Sequence, residues 1–157
     1  MEIPALQGLT VDPSLMTMEK PLKKHEEHES LRIGVPREVA NEERRVALAP
    51  SGVSTLVANG HAVYVEEGAG DQAHFGDNQY SEAGAELIDA PEDLYSHADL
   101  IVKVGPPNED ELDLLKEKQI LISALNLGGM TPDFLRRLME LRVTGIGFEF
   151  IRDPDGT

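Results

Sequence analysis

Apolar and polar positions follow two alternating patterns from Leu31 onward. Short runs typical of strands cover residues 31–35, 61–66, 87–88, 99–104, 119–125 and 143–151. Helical spacing, together with start and stop residues such as Pro, Asn and Gly, predicts helices over 51–59, 79–85, 91–96, 108–118 and 131–141. Strands that alternate with helices in this way are typical of βαβ units.

This order of elements predicts an α/β domain with an open, doubly wound, mostly parallel sheet of the Rossmann or flavodoxin type. Ligands of such sheets bind at the carboxyl ends of the strands. Three loops occupy that position, after Val35, after Val104 and after Leu125. We therefore expect the functional residues of the domain to lie in these loops.

Residues 1–30 lack the alternation. They hold three prolines and a charged cluster between Glu19 and Glu29, which predicts an N-terminal extension that is flexible or helical in patches. His25 and His28 are spaced for one helix face, but their polar surroundings argue against a metal site. The sequence thus predicts an extension over residues 1–30 and a domain over residues 31–157.

Composition narrows the classes of function. The chain carries 29 acidic and 14 basic residues, and its net charge of −15 disfavours binding to nucleic acid or to a membrane surface. The absence of cysteine excludes disulfides, thiolate nucleophiles and Cys-type zinc sites. The N-terminus shows no uninterrupted apolar run of the kind that a secretory signal needs, so we expect a cytoplasmic protein.

Arg45 is the first candidate for ligand binding. It lies in the long charged loop after the first predicted strand and is followed at once by the apolar Val-Ala-Leu segment. A guanidinium suits a carboxylate or a phosphate because it donates two parallel hydrogen bonds. The alternative is a surface ion pair with Glu38, Glu42 or Glu43, and spacing alone leaves both interpretations open.

Two further candidates lie at the carboxyl ends of the fourth and fifth predicted strands. Lys103 lies near the carboxyl end of an otherwise apolar strand, where a cleft is the expected destination of its charge. Asn126 precedes the pair Gly128–Gly129, and it is either a polar group of the site or a simple turn residue.

The segment Gly68-Ala-Gly70-Asp-Gln-Ala73 fits the loose dinucleotide pattern G-x-G-x-x-A. That pattern binds pyrophosphate only where a helix begins at the second glycine. Here the following residues are typical of a loop, so we interpret the segment as a turn. The sequence therefore predicts neither a cofactor site nor a metal site within this chain.

Several motifs together resemble the opening of the alanine dehydrogenase and nicotinamide nucleotide transhydrogenase family. They are Ile33-Gly-Val-Pro-Arg-Glu38, Asn41-Glu-x-Arg-Arg45-Val-Ala-Leu-x-Pro50, Gly60-His61, Glu67-Gly-Ala-Gly70, Tyr80-x-x-Ala-Gly-Ala85, Ala98-Asp-Leu-Ile-Val-Lys-Val104 and Gln119-Ile-Leu. The resemblance covers about residues 31–156 in register. It implies the N-terminal, substrate-side domain of a two-domain oxidoreductase whose second domain binds NAD.

In the alanine dehydrogenase branch, the resemblance implies an Arg, a Lys and a His that bind the substrate. The Arg corresponds to Arg45, which favours the ligand-binding interpretation. The Lys is replaced by Gly105, although Lys103 is one pleat away, and the His is replaced by Asn126. An amide forms hydrogen bonds but does not carry a proton near neutral pH, so no catalytic acid or base is assigned in this chain.

The resemblance leaves three functions open. Residues 147–149 and 153–156 favour an NAD-dependent alanine dehydrogenase, which converts L-alanine to pyruvate and ammonia and acts as a homo-oligomer when complete. Gly105 and Asn126 instead favour a transhydrogenase α-type subunit that transfers hydride from NADH to NADP. The missing His is also consistent with a non-catalytic regulatory or interaction domain.

Overall fold

A computed structural model of the protein describes residues 29–40 and 42–151. Six parallel strands form one sheet in the order β3-β2-β1-β4-β5-β6, which confirms the predicted fold class. The strands are β1 (Arg32–Val35), β2 (Ala62–Glu66), β3 (Glu86–Ile88), β4 (Leu100–Val102), β5 (Ile120–Ser123) and β6 (Thr144–Gly147). The helices are α1 (Pro50–Ala58), α2 (Asp77–Glu82), α3 (Pro91–His97), α4 (Glu109–Leu114) and α5 (Pro132–Glu140).

The predicted extension lies almost entirely outside the described residues, and so do His25 and His28. The Asp153–Gly156 segment also lies outside them. None of the helices in the described ranges is long and apolar enough to cross a membrane.

The central strands are apolar on both faces because helices cover both sides of the sheet. Ile33 of β1 pairs in register with Val63 of β2 and with Leu100 of β4. One buried cluster lies on the side of α1 and α2, and the other lies on the side of α3, α4 and α5. The two clusters hold the sheet rigid beneath the loops at its carboxyl edge.

Helix α4 is shorter than the sequence predicts, because it ends at Leu114 rather than at Lys118. Leu115 takes an extended backbone conformation and is buried against the core, so the chain turns there towards β5. The Gln119 side chain then accepts a hydrogen bond from the Lys116 N–H and donates to two carbonyls near the end of α3. A turn held by the buried residues Leu115 and Gln119 therefore replaces the last predicted helical turn.

Three predicted strands are also too long at their carboxyl ends. β4 ends at Val102, β5 ends at Ser123, and β6 ends at Gly147, where a short 3-10 turn over Phe148–Phe150 begins. Within that turn the Glu149 carboxylate accepts a hydrogen bond from the Asn126 N–H, which ties the chain after β6 to the loop after β5. The loops at the carboxyl edge of the sheet therefore begin earlier in the chain than the sequence predicts.

The Gly68–Ala73 segment forms turns, and only the three residues Asp71–Ala73 are helical, in a 3-10 turn. Gly68 adopts a positive φ of 76° and its N–H donates to the Asp77 carboxylate. A Cβ atom at Gly70 would overlap the Phe75 carbonyl oxygen and lie 2.6 Å from the Tyr80 ring. Gly70 is thus required for packing, and no α-helix begins there to bind a pyrophosphate.

We expect Gly70→Ala to lower the free energy of unfolding by about 1–3 kcal/mol, because the added methyl group overpacks a closed contact. Urea unfolding of the variant measures this loss. Gly128→Ala is the matched control, since a Cβ atom there has no described neighbour within 4 Å. An equal effect of the two substitutions would contradict the packing role of Gly70.

Candidate functional site

The chain order of the sheet reverses between β1 and β4. β1 pairs with β2 on one side and with β4 on the other, so the loops after β1 and β4 leave the carboxyl edge in opposite directions. Open parallel sheets form their ligand crevice at this switch point. The loop after β1 carries Arg45, and the loop after β4 begins at Lys103.

The side chain of Arg45 is 74% exposed and forms a two-pronged ion pair with Glu43. Its Nε lies 2.8 Å from Glu43 Oε1, and its terminal nitrogen lies 2.7 Å from Oε2. Because the Glu43 side chain accepts these hydrogen bonds, its pKa falls to about 2. The same hydrogen bonds raise the pKa of Arg45, so both partners are charged at neutral pH.

Arg45 also borders a small cavity of about 130 Å³ at the carboxyl edge. Arg37, Glu38 and Glu43 line this cavity from the loop after β1, and Gly68 and Ala69 close it from the turn after β2. The structure therefore combines the two interpretations of Arg45, since the residue is paired with an acidic neighbour and faces a cavity. Its binding of a substrate stays a prediction.

Lys103 does not reach an open cleft, so that expectation is wrong. Its side chain is 1% exposed, and its Nζ lies 2.6 Å from Glu111 Oε1 and 3.4 Å from Glu38 Oε2. The Arg37 carbonyl oxygen lies at 3.4 Å as a third partner. A buried ammonium requires such partners, and the protein supplies them from within.

Lys103 belongs to a buried hydrogen-bonded network that sequence reasoning missed. Glu38 Oε1 accepts from the Val104 N–H at 2.6 Å, and Glu38 Oε2 accepts from the Gly105 N–H at 3.3 Å. Glu111 accepts from the Tyr95 hydroxyl and, through its other oxygen, from the Asn108 N–H. This network joins the loop after β1 to the end of β4, to α4 and to α3.

A further carboxylate extends the network to β2. Glu66 Oε2 accepts a hydrogen bond from the Arg37 N–H at 2.9 Å. Burial raises the pKa of Glu66, and the nearby Glu111 carboxylate acts in the same direction. Burial also raises the pKa of Tyr95, so its hydroxyl stays protonated and donates to Glu111.

One sequence signal could have found part of this network. Asn108 and Glu111 form a capping box, in which each side chain binds the backbone N–H of the other, and the spacing N-x-x-E announces it. The spacing does not reveal that the second oxygen of Glu111 meets Lys103. That contact depends on the placement of α4 against β4.

Asn126 lies on the same edge of the sheet but lines a different cavity. It adopts a left-handed conformation with φ of 44°, and the cavity of about 430 Å³ lies between α4 and α5. Pro107, Leu125 and Phe134 contribute apolar walls to that cavity. Arg45 and Asn126 therefore do not meet in one pocket within the described chain.

The Gly68–Ala73 turn is packed shut at Gly70, so it does not fit a pyrophosphate. No group of three or more His, Asp or Glu side chains in the described ranges is arranged to hold a metal ion. The carboxyl edge therefore places Arg45 beside a small cavity, and the buried network of Glu38, Lys103 and Glu111 lies at the end of β4.

The fold defines a class of protein, the doubly wound α/β domain, whose ligands bind at the carboxyl edge of the sheet. The family model described as "Alanine dehydrogenase/PNT, N-terminal domain" matches residues 34–157. The chain therefore belongs to the alanine dehydrogenase/PNT N-terminal domain family.

Relatives and solved structures agree with this assignment. An alanine dehydrogenase of Methanococcus maripaludis is 40% identical over 123 residues, which cover 78% of this chain and 33% of the relative. An alanine dehydrogenase of Staphylococcus saprophyticus is 41% identical over 125 residues, which cover 80% of this chain and 33% of the relative. The chain thus spans about a third of the length of these curated relatives.

Two solved structures share the fold. An L-alanine dehydrogenase matches with a TM-score of 0.76 and 38% identity, covering 81% of this chain and 35% of that chain. A transhydrogenase from Sinorhizobium meliloti matches with a TM-score of 0.69 and 25% identity, covering 75% of this chain and 33% of that chain. The likeness extends to both branches of the family.

Proposed function

We propose that this chain is the substrate-side domain of an NAD-dependent oxidoreductase of the alanine dehydrogenase type. The whole protein would oxidise L-alanine with NAD and water to pyruvate, ammonia and NADH. The observation that carries the proposal is Arg45, which keeps the position of the substrate-binding Arg in the family resemblance and borders a cavity at the carboxyl edge, between the loop after β1 and the turn after β2.

In this proposal the Arg45 guanidinium binds the substrate carboxylate and gives up its contact with Glu43 to do so. Asn126 stays a proposed substrate-binding residue from the resemblance, and in this structure it lines the separate cavity between α4 and α5. NAD binds outside this chain, because the described residues have no cradle for it. The proposed protein is a cytoplasmic homo-oligomer, with residues 1–30 as an extension and residues 31–157 as the domain.

Alanine-dependent formation of NADH by the whole protein tests the proposal. The family resemblance and the two alanine dehydrogenases at 40% and 41% identity support this reaction over others. The absence of NADH formation with alanine would reject it. An amino acid series in the same assay then identifies the preferred substrate.

A transhydrogenase subunit is the second candidate, and Gly105 and Asn126 favour it because they replace the Lys and the His of the alanine dehydrogenase branch. Reduction of an NADP analogue by NADH without any amino acid would support this candidate. A protein with neither activity that still binds a partner would support the third candidate, a regulatory or interaction domain.

Gly105→Lys is expected to raise kcat/KM for alanine roughly tenfold, because it returns an ammonium to the position of the substrate-binding Lys. A Cβ atom there lies 3.6 Å from Glu38 Oε2, which is ordinary contact, so the site accepts a side chain. Gly105→Met is the matched control, since it adds a chain of similar length without charge. Equal effects of Lys and Met at this position would refute the role of the ammonium.

A further inference from the structure

Glu38 connects the loop after β1 to the loop after β4 with a single carboxylate. It lies in the loop after β1, which also carries Arg45, and its side chain is 4% exposed. Its two oxygens accept hydrogen bonds from the N–H groups of Val104 and Gly105, at 2.6 Å and 3.3 Å. These are backbone groups of the loop after β4, so the separation of the two loops depends on the length and reach of this side chain.

Lys103 forms a buried ion pair with Glu38. Its Nζ contacts both Glu38 and Glu111, and the carbonyl of Arg37 completes its surroundings. Two buried carboxylates next to each other repel unless a cation lies between them. Lys103 thus holds the Glu38 side chain in place from within the protein, and its own side chain is 1% exposed.

A second contact restrains the same loop from the opposite side. The Arg37 N–H donates to Glu66 at the end of β2. The loop after β1 is therefore fastened to β2 through Glu66 and to β4 through Glu38. Arg45 lies further along the same loop and borders the cavity that Arg37 and Glu38 also line.

We propose that Glu38 is a positioning residue that holds the loop carrying Arg45 against the end of β4, and that Lys103 acts through Glu38 instead of binding the substrate. This inference rests on the proposed function, because its effect on substrate binding passes through Arg45. A displacement of about 1 Å at a binding group is enough to cost one to two orders of magnitude in efficiency.

A merely structural ion pair would behave differently. Removal of either carboxylate partner of Lys103 would then lower stability and leave substrate affinity unchanged. Glu111 provides the comparison within this chain, because it pairs with the same ammonium but contacts neither Val104 nor Gly105. The positioning role therefore predicts a difference between two substitutions that a structural role makes equivalent.

The experiment compares Glu38→Gln with Glu111→Gln in the whole protein. The amide introduced by Glu38→Gln has one acceptor oxygen, so it cannot accept from both N–H groups, and its NH₂ group faces the other N–H or the Lys103 ammonium. We expect the KM for alanine to rise about tenfold in Glu38→Gln with little change in kcat, because the lost contact serves binding in both the ground state and the transition state. In Glu111→Gln we expect a lower urea midpoint with the KM within about twofold of wild type.

Hydrogen exchange of the Val104 and Gly105 amides provides a readout that does not need activity. We expect exchange at one or both of these amides to be about tenfold faster in Glu38→Gln, and exchange at both to be close to wild type in Glu111→Gln. Unchanged exchange in Glu38→Gln, or an equal rise of KM in both variants, would overturn the inference. The absence of alanine activity in the wild-type protein would reject the proposed function. The exchange measurement would still test whether Glu38 holds the Val104 and Gly105 amides.

Discussion

Arg45→Ala in the whole protein is expected to raise the KM for alanine roughly 10- to 100-fold and to leave kcat nearly unchanged. A carboxylate that does not react is bound equally in the ground state and the transition state, so its loss appears in KM. Steady-state kinetics with alanine as the varied substrate measure the effect. Arg45→Lys is expected to fall between wild type and Arg45→Ala, because an ammonium keeps the charge but not the two parallel hydrogen bonds.

Arg44→Ala is the control for this prediction. Arg44 is the neighbouring residue and has the same charge, but it does not line the Arg45 cavity; it borders an adjacent surface hollow with Asp71, Gln72 and His74. Its removal changes the net charge as Arg45→Ala does and leaves the proposed carboxylate contact intact. A normal KM in Arg45→Ala, or the same rise in both variants, would remove Arg45 from its proposed role.

Lys103→Met is expected to lower the free energy of unfolding by about 3–5 kcal/mol. The methionine side chain fills much of the space, so the loss comes from the charge rather than from a cavity. Glu38 and Glu111 would remain buried without their cation, and the penalty of uncompensated buried charge is larger than the value of the pair itself. Urea unfolding followed by circular dichroism measures the loss.

Lys118→Met is the matched control for this stability measurement. Lys118 is 71% exposed, and its nearest carboxylate, Glu117, is 59% exposed and 4.0 Å away. An ion pair in water contributes little, so the control is expected to change stability by less than about 0.5 kcal/mol. A loss below about 1 kcal/mol in Lys103→Met would show that the buried network tolerates the missing charge.

The two predictions separate binding from stability at one edge of the sheet. Arg45 is exposed, so its substitution leaves the core intact and acts on the ligand. Lys103 is buried, so its substitution acts first on the fold and reaches the ligand only through Glu38. If both results are obtained, the exposed Arg45 binds the substrate and the buried Lys103 stabilises the fold beneath it.

Much of the fold follows from the sequence because its elements depend on neighbours in the chain. The run 61–66 predicts β2, and Pro132 with the Thr131 cap predicts the start of α5, where the Thr131 hydroxyl accepts from the Phe134 N–H. The errors lie at element ends. Leu115 leaves the helix because the core buries it, and a pattern of apolar residues does not show which partner will do so.

The candidate site was predictable to a smaller extent. The loops after β1, β4 and β5 do lie on one edge, as parallel strands require. The sequence offers Glu38, Glu42 and Glu43 as possible partners of Arg45, and the structure selects Glu43. The distances that decide such a choice are set by the backbone path of the loop.

By itself, the sequence determined the doubly wound fold, the membership in this family and the departures at Gly105 and Asn126, because these depend on residue types in order along the chain. Only the tertiary structure decided where the charge of Lys103 goes. Its partners, Glu38 and Glu111, come from segments on either side of it in the chain, and the pairing of β4 with β1 and the packing of α4 bring them together. A buried charge is stable only when such partners arrive from elsewhere in the fold, and periodicity along one segment carries no information about them.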